Sequence, residues 1–375
     1  MPPTYEAIVV GLGAMGSASL FHLARRGQRV LGLDQFAPPH TMGSSHGLTR
    51  IIREAYFEHP VYVPLLQRAY ELWRELETTS GLSLFQQTGG LMIGAPDSLV
   101  VNGALHSARQ HGLKHELLSA QDVRTRFPAL HPADDMLAVF EPRAGVLFPE
   151  RCISSHLDGA RRLGAEVHFN ESVIRWAPAG SGDDLTVQTQ AGDYSTRRLI
   201  VSAGAWVSQL FPELSLPFQI ERQLLFWFNP PDNHAFFAPD RCPIHLWQFD
   251  GSRFFYGFPE TGDGVKVARH HDGCITTPEE VCREISADEV EDMRTVVRRF
   301  LPDADGPLRH ATVCMYTNTP DGHFWIDRHP EHPQVLIVSP CSGHGFKFSA
   351  VIGEMVAKVI NDEETGSDLS LFRRR

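Results

Sequence analysis

Three basic side chains stand close together early in the chain. The stretch GSSHGLTRIIR contains His46, Arg50 and Arg53, and the two arginines would share one face of a helix beginning there because they are three residues apart. Two guanidinium groups on one face can hold a carboxylate or a phosphate. The ordinary alternative is a solvated basic surface. We favour the anion site because apolar residues that must be buried alternate with the charges.

A lysine and a histidine alternate along a second basic stretch, VKVARHH. Lys266, Ala268 and His270 occupy alternate positions of a predicted strand, so the side chains of Lys266 and His270 point to the same side of it. From the residues alone, that side faces either a ligand cleft or the solvent at a sheet edge, and both interpretations stay open.

Two further candidates lie near the C-terminal end of the chain. In ATVCMYTNTPDGHF, Cys314 and Tyr316 share one face of an extended segment, although a lone cysteine is usually a small buried hydrophobe. In CSGHGFKFS, Lys347 begins the last predicted helix, where its charge opposes the helix dipole at a cost of up to ~1 kcal/mol. A bound anion is the simplest compensation, and the same helix end could stabilise negative charge on a reduced cofactor.

A glycine-rich turn near the N-terminus indicates what these side chains surround. A short buried strand, AIVV, leads into GLGAMG with Gly11, Gly13 and Gly16, then a predicted helix over 17–26 and a strand that ends on Asp34. This order of strand, glycine turn, helix, strand and acid is typical of a dinucleotide site. The glycines let the backbone approach a pyrophosphate, and the acid binds ribose hydroxyls and repels a 2′-phosphate. The motif does not distinguish FAD from NAD.

The remaining elements predict an α/β fold with two domains. The length of 375 residues is too great for one compact core, and the apolar fraction of 42% and charged fraction of 21% are those of a globular protein. Amphipathic helices are predicted over 61–77, 151–163 and 348–360, whereas aromatic-rich strands separated by turns fill 220–270. We expect a discontinuous Rossmann-type nucleotide-binding domain (1–85, 148–218 and 322–375) and a mostly antiparallel substrate domain (86–147 and 219–321).

Composition and charge exclude several classes of protein. The net charge of −11 disfavours nucleic acid or an anionic membrane as a partner, and no run of about 18 apolar residues forms a candidate membrane span. The N-terminus lacks the charged and apolar regions of a secretory signal, and the six cysteines include no CxxC pair, so we expect a cytoplasmic protein with reduced thiols. His329 and His332 have ligand-like spacing, but Pro330 interrupts any helix between them, and we expect no metal site.

Together these segments resemble the monomeric sarcosine oxidase family of flavin amine oxidases, which includes N-methyltryptophan oxidase and the peroxisomal pipecolate/sarcosine oxidase. The resemblance covers nearly the whole chain and rests on GLGAMG, PPHTMGSSHGLTRIIREAY, YGFPETGDGVKVARHH, CMYTNTPDGHFWIDRHP and SGHGFKFS, which occur in the family's order. The forms GSSHG and CMYTNTPD are most similar to the pipecolate/sarcosine branch.

The resemblance implies a cofactor and roles for single residues. It implies FAD, bound covalently through the sulfur of Cys314, and a substrate carboxylate held by Arg53 and Lys347. It implies that Lys266 activates oxygen over the flavin face. The other implied residues line the substrate pocket (His270, Tyr256 and Tyr316), lie close to the flavin ring (Arg50 and His46) or belong to the cofactor site (Gly11, Gly13, Gly16, Asp34, Ser44, Gly204, Gly343, Gly345 and Lys347). Arg50, His46 and His270 are counted with Lys266 among the catalytic residues.

The implied reaction is oxidation of a secondary α-amino acid by a monomeric enzyme. Sarcosine or another N-methyl amino acid would be oxidised with O2 to an imine and H2O2, and hydrolysis would give formaldehyde and the demethylated amino acid. L-Pipecolate or another cyclic secondary amino acid is an alternative substrate. A nicotinamide-dependent imine reductase or dehydrogenase is the alternative of another class, and it leaves Cys314 and Lys266 without a role. A non-catalytic flavoprotein or assembly component is a third.

Two positions depart from the family pattern. Ser45 and His46 stand where bacterial sarcosine oxidases carry two adjacent histidines, and Cys341 stands where relatives usually have a bulky apolar residue. We expect the first change to affect the flavin surroundings and the second the approach to the pocket. Both bear on the identity of the substrate more than on the type of reaction.

Overall fold

The structure is a computed structural model that describes residues 4–180, 184–339 and 341–373. These residues form seven α-helices and four β-sheets. The helices are α1 (Ala14–Arg25), α2 (Tyr62–Ser80), α3 (Leu99–Gln110), α4 (Ala120–Arg126), α5 (Pro149–Arg162), α6 (Ala287–Phe300) and α7 (Ser349–Val359). The strands are β1 (Thr4–Tyr5), β2 (Ala7–Val10), β3 (Val30–Asp34), β4 (Arg50–Ile52), β5 (Phe85–Gln87), β6 (Gly90–Gly94), β7 (Glu116–Ser119), β8 (Leu137–Glu141), β9 (Gly145–Leu147), β10 (Glu166–Phe169), β11 (Val173–Pro178), β12 (Leu185–Thr189), β13 (Asp193–Thr196), β14 (Leu199–Val201), β15 (Gln219–Phe228), β16 (Ile244–Phe249), β17 (Arg253–Gly257), β18 (Val265–His270), β19 (Ile275–Thr276), β20 (Leu308–Asn318), β21 (Trp325–Arg328) and β22 (Val335–Ser339).

A six-stranded sheet carries the glycine-rich turn. Its strand order is β10-β3-β2-β14-β22-β21, and every neighbouring pair is parallel except β21 with β22. The strands β2, β3, β14 and β22 are buried along their whole length, which suits continuous apolar sequences in a parallel sheet covered by helices. Helix α1 packs against α5 and α7 on this sheet. The α/β class expected from the sequence is confirmed.

A nine-stranded sheet forms the second large layer. Its main order is β19-β15-β18-β17-β16-β6-β8-β7, and β20 also pairs with β15. The pairs are antiparallel apart from β16 with β6. Two of its strands, β18 and β20, carry the candidate lysine, histidine, cysteine and tyrosine of the sequence analysis. The expected aromatic-rich antiparallel sheet is therefore present, with one parallel contact.

The helix expected to begin near Arg50 is absent, and that prediction was wrong. Arg50–Ile52 is strand β4, which pairs antiparallel with β9 in a three-stranded sheet. Its two isoleucines supply β-branched side chains that suit a strand, and pairing outweighs the helical spacing of the arginines. Arg50 and Arg53 therefore do not share a helix face.

Several element boundaries also differ from those expected. Helix α1 begins at Ala14 rather than residue 17, because the N–H of Ser17 already bonds the carbonyl of Gly13. Helix α2 continues to Ser80, and Gly81, with φ +72°, ends it in the left-handed conformation that glycine tolerates. Both helices extend the expected elements without changing their order.

The described residues include no helix long and apolar enough to cross a membrane. Within the same ranges, no group of three or more His, Cys, Asp or Glu side chains could hold a metal ion. His329 instead contacts Glu213 through its Nε2 atom at 3.1 Å. The boundaries proposed for two domains stay a prediction, although the two large sheets have separate apolar cores.

Candidate functional site

A long cleft is lined by residues of both large sheets. It extends from Asp34, beside the glycine-rich turn, to Lys347. An elongated cleft of this kind suits an extended ligand such as a dinucleotide.

The glycine-rich turn forms the Asp34 end of the cleft. A Cβ on Gly16 would stand 1.7 Å from the carbonyl oxygen of Gly11, so only glycine permits this approach of helix and turn. The Asp34 carboxylate accepts the N–H groups of Leu12 at 2.7 Å and Phe36 at 2.8 Å. Burial raises the pKa of Asp34, and the two N–H donors oppose that shift. The Asp34 carboxylate thus holds the turn through backbone hydrogen bonds and also lines the cleft.

The residues at this end fit FAD. Helix α1 starts without a side-chain cap, and its Ala14 N–H donates to the Oγ atom of Ser45 at 3.3 Å. Two buried polar atoms nearby, Ser44 Oγ and His46 Nε2, have no partner within the described residues. An uncapped helix start and unpaired polar atoms are what a pyrophosphate and a polar ring system would satisfy. Ser45 therefore lies against the nucleotide turn, and its expected effect on the flavin surroundings stays a prediction.

Most of the predicted cofactor residues lie on one surface. The cleft is lined by Gly11, Gly13, Asp34, Ser44, Arg50, Gly204, Cys314, Gly343, Gly345 and Lys347. Gly16 shapes the turn from behind, and His46 is buried beside the cleft without being part of its lining. Burial, and then Arg50, lower the pKa of His46 to about 3, so its imidazole is neutral.

Arg50 links the early loop to the cysteine on β20. Its Nη2 atom donates to the carbonyl of Ser44 at 2.8 Å and lies 3.9 Å from the Sγ atom of Cys314. The same sulfur lies 3.6 Å from the Ser44 carbonyl oxygen. A guanidinium at this distance stabilises negative charge on the sulfur or on a ring bonded to it. Cys314 and Tyr316 both belong to the lining of the cleft.

Lys266 is buried beneath the loop that precedes β4. Its Nζ atom donates to the carbonyls of Gly47 at 2.6 Å and Thr49 at 2.9 Å. The ammonium also lies 5.2 Å from the ring centroid of Trp227 and 4.8 Å from that of Phe258. Burial, and then Arg50, lower the pKa of Lys266 well below its usual value. Lys266 is only 1% exposed, so the solvent-edge interpretation of VKVARHH is wrong for this residue.

The loop above Lys266 is held from its other side by Glu150, at the start of α5. The Oε1 atom of Glu150 accepts the N–H groups of Gly47 at 2.8 Å and Leu48 at 3.0 Å. Leu48 has φ +68°, a conformation that costs a branched residue of order 1–3 kcal/mol and persists only where neighbours enforce it. Glu150 and Lys266 together supply that enforcement.

A buried arginine, a glutamate and a lysine form the other end of the cleft. Arg53 donates from Nη2 to the Glu58 carboxylate at 2.7 and 2.8 Å, and its Nε atom has no partner within the described residues. Burial, and then Arg53, lower the pKa of Lys347 to about 7. Burial opposes ionisation of Glu58, but Arg53, His344 and Lys347 more than offset it, so the Glu58 pKa is lowered. The cluster therefore contains one internal carboxylate and two cationic side chains.

Neutral polar side chains line the wall near these cations. His270 Nδ1 and the hydroxyl of Tyr316 share a hydrogen bond of 3.1 Å, and Tyr256 lies beside them on β17. Burial, and then His271, lower the pKa of His270 well below its usual value. Burial raises the pKa of Tyr316 well above its usual value. This wall offers hydrogen bonds without adding a charge.

The sequence analysis missed three residues of this arrangement. Glu58 pairs with Arg53 from an irregular loop, Glu150 reaches the strained loop from another element, and Tyr56 lies beneath Arg53. No spacing signals such contacts, since they depend on the path of loops. The only available signal was the rarity of a buried acid next to clustered basic residues.

Comparisons with known proteins agree with this geometry. Residues 6–359 match the family model described as FAD dependent oxidoreductase. The chain is 45% identical to the monomeric sarcosine oxidase of Streptomyces avermitilis, over 100% of this chain and 98% of the relative. It is 36% identical to the N-methyl-L-tryptophan oxidase of Salmonella enteritidis, over 98% of each chain. Among solved structures, glycine oxidase from Geobacillus kaustophilus has the same fold, with a TM-score of 0.83, 18% identity and 99% and 98% coverage.

Proposed function

The chain belongs to the family of FAD dependent oxidoreductases, and we propose that it is a sarcosine oxidase-like amine oxidase. It oxidises a secondary α-amino acid, sarcosine or another N-methyl amino acid, with O2. The products are H2O2 and an imine, and water converts the imine into formaldehyde and the demethylated amino acid.

One observation carries this proposal: a single cleft joins the dinucleotide turn, a cysteine and two cations. Its lining runs from Gly11 and Asp34 past Cys314 to Arg53 and Lys347. A dinucleotide at the turn would place its ring system toward the cysteine, and a small anion would be bound beyond it. A dehydrogenase using nicotinamide has no need of the cysteine or of the buried Lys266.

Bound FAD supplies the two-electron oxidation of the amine and the reduction of O2. Arg53 and Lys347 bind the substrate carboxylate, since charge-assisted hydrogen bonds contribute ~1.5–3 kcal/mol each. The substrate carboxylate competes with Glu58 for Arg53, because the Glu58 carboxylate already accepts a hydrogen bond from the guanidinium at 2.7 Å. Fixing the carboxylate orients the C–H and C–N bonds toward the ring system and so lowers the entropic part of the barrier.

Lys266 is the proposed cation for the reaction with oxygen. A unit charge ~4 Å from developing negative charge contributes up to ~4 kcal/mol at an effective dielectric constant of ~20. Two carbonyl acceptors and two aromatic faces favour its ammonium form, while burial opposes it. Arg50 lines the cleft and His46 is buried beside it, and we assign both to the surroundings of the flavin ring.

Several finer assignments belong to the proposal. The covalent bond to Cys314 is supported by its position on the cleft wall beside Arg50. A cyclic secondary amino acid such as L-pipecolate is the second candidate substrate, supported by the likeness of GSSHG and CMYTNTPD to that branch. The monomeric state is supported by the sarcosine oxidase relatives, which are named monomeric, and a cytoplasmic location by the composition of the sequence.

The test is a substrate panel with the purified protein. We expect a yellow protein that releases H2O2 with sarcosine, another N-methyl amino acid or pipecolate, and formaldehyde with the N-methyl substrates. A colourless protein that oxidises or reduces nicotinamide would contradict the proposal. A yellow protein without peroxide release on any of these amines would leave only a flavoprotein of another function.

The covalent bond has its own readout in the same preparation. After acid denaturation and filtration, flavin should stay with the wild-type chain and pass into the filtrate of the Cys314→Ala variant. The Cys152→Ala variant is the matched control, because Cys152 is a buried cysteine of α5 outside the cleft. Free flavin in the wild-type filtrate would refute the bond without affecting the assigned reaction.

A further inference from the structure

We call Arg53 and Lys347, the two residues proposed to bind the substrate carboxylate, the carboxylate clamp. Lys347 is part of a chain of hydrogen bonds that leads away from the cleft. Lys347 Nζ donates to the hydroxyl of Tyr56 at 3.4 Å, and that hydroxyl lies 2.6 Å from His344 Nδ1. His344 Nε2 lies 2.9 Å from the carbonyl oxygen of Gly322. Lys347 also donates to the carbonyl of His344 at 2.6 Å, so the chain closes on the backbone that carries the lysine.

The chemistry of the groups sets the direction of every bond in this chain. A carbonyl only accepts, so the proton of a neutral His344 imidazole is on Nε2. Nδ1 must then accept the hydroxyl proton of Tyr56, and the phenolic oxygen keeps its lone pairs for Lys347. Burial lowers the pKa of His344 to about 4, which keeps the imidazole neutral. The hydroxyl of Tyr56 therefore presents an acceptor to Lys347.

The aromatic ring of Tyr56 packs against Arg53, the other cation of the clamp. The Arg53 guanidinium lies 4.2 Å from its centroid, and Lys347 Nζ lies 5.2 Å from the same centroid. Tyr56 is fully buried, with the rings of Tyr62 at 5.0 Å and Phe348 at 5.3 Å. One immobilised side chain thus contacts both cations, by its face and by its oxygen.

We propose that Tyr56 and His344 are positioning residues of the carboxylate clamp, which orient the Lys347 ammonium and set its spacing from Arg53. This inference rests on the proposed function, because it assumes that Arg53 and Lys347 hold the carboxylate of the substrate. Tyr56 acts through its hydroxyl and its ring, and His344 acts through Tyr56.

A proton relay along the same chain is a less suitable role. A proton moving from Lys347, with a pKa of about 7, to His344, with a pKa of about 4, would face an equilibrium of roughly a thousand to one against it. The chain therefore holds the lysine in place and does not discharge it.

The arrangement makes carboxylate affinity depend on pH. The ionisable groups that face Lys347 are Arg53, Glu58, Arg50, Tyr56, His270 and His344. In the empty clamp the Lys347 pKa of about 7 lies below its usual value, so the charged form is complete only in acid. As long as the ligand itself is ionised, its affinity is constant below the Lys347 pKa and falls as the pH rises through 7. Removing the Tyr56 acceptor disfavours the charged form further, so the fall should begin at a lower pH.

The test is calorimetric titration of the holoenzyme with acetate, which has a carboxylate but no oxidisable amine. For Tyr56→Phe, which keeps the ring, we expect the acetate Kd at pH 6.5 to rise about tenfold, equal to ~1.4 kcal/mol. The fall in affinity should move to lower pH, and KM for the amine should rise while kcat changes less than threefold. Tyr62→Phe is the control, since its hydroxyl contacts His323 at 3.1 Å and not the clamp.

Variants of His344 complete the design. His344→Ala should reproduce the Tyr56→Phe effect, and the double variant should add nothing because both changes break one chain. His344→Gln, which offers an amide acceptor and donor, should restore part of the affinity. A Tyr56→Phe holoenzyme with wild-type acetate Kd and pH profile would overturn the inference and leave the oxidase assignment intact. Absence of acetate binding by the wild-type holoenzyme would instead remove the clamp on which the proposed function depends.

Discussion

The ammonium group of Lys266 is fully enclosed by protein atoms, unlike that of a lysine on the surface. Two carbonyls and two aromatic faces surround it, and Arg50 is the cation that lowers its pKa after burial itself. A buried cation is costly unless its hydrogen bonds are satisfied. The free-energy cost of burying this charge is consistent with a role in the reaction. The position of Lys266 in the predicted strand could not by itself distinguish a role in the reaction from a role in packing.

Replacing Lys266 by methionine should therefore separate the two halves of the reaction. The variant keeps an unbranched chain of similar length without the charge. We expect the second-order reaction of the reduced enzyme with O2 to slow by up to about a thousandfold, which corresponds to the ~4 kcal/mol of charge stabilisation. Anaerobic reduction by the amine should change only a few-fold. Stopped-flow absorbance of each half-reaction measures both.

Lys358→Met is a suitable control for this experiment. Lys358 lies on α7 and donates to the carbonyl of Thr365, outside the cleft. Its variant should match the wild type in both half-reactions. Equal oxygen rates for Lys266→Met and wild type would show that another group supplies the charge.

At the scale of elements, β4 is the one that the sequence predicted least well. The spacing of Arg50 and Arg53 suited a helix, yet β-sheet pairing with β9 decided the conformation. Helical periodicity cannot reveal a pairing partner more than ninety residues away in the chain. By contrast, β18 and β20 were predictable as extended segments, because β-branched and aromatic residues between turn residues are a local signal for a strand.

The loop over 47–49 should depend on Glu150. In Glu150→Ala, the N–H groups of Gly47 and Leu48 lose their acceptor, and we expect the left-handed Leu48 to relax. Lost hydrogen bonds to a charged group cost ~1.5–3 kcal/mol. The free energy of unfolding should fall by about that amount, and the oxygen reaction should slow because the carbonyls that position Lys266 move. Denaturant unfolding and stopped-flow kinetics check the two effects.

Two further variants serve as comparisons for Glu150→Ala. Glu150→Gln keeps an acceptor oxygen and removes only the charge, so its effects should be smaller than those of alanine. Asp158→Ala, on the same helix, removes an exposed acid whose partner is Arg161 at 3.5 Å, and it should change neither quantity by more than experimental error. An alanine variant at 150 with wild-type stability and oxygen kinetics would show that Lys266 alone holds the loop.

At the scale of the whole molecule, the cleft depends on both large sheets. Asp34 lies at the end of β3 in the parallel sheet, whereas Cys314 and Tyr316 lie on β20 of the antiparallel sheet. The glycine turn and the sheet types could be predicted because each has a local pattern. The contacts among Arg53, Glu58 and Tyr56 could not, because these residues lie in one irregular segment between β4 and α2, and no periodic pattern indicates how such a segment folds.

A ligand that contacts both sheets should stabilise them together, and this gives a thermal test of the cofactor site. In Cys314→Ala the proposed bond cannot form, so FAD would bind reversibly and raise Tm with its concentration. A hundredfold excess over Kd adds about 2.7 kcal/mol, which is enough for a shift of several degrees in a chain of this size. Gly16→Ala in the same background should abolish the shift, because its Cβ would stand 1.7 Å from the Gly11 carbonyl oxygen. Scanning calorimetry with and without added FAD provides the measurement. If Cys314→Ala melts at one temperature across all FAD concentrations, while NAD raises that temperature, the cleft is a nicotinamide site and the oxidase assignment fails with it.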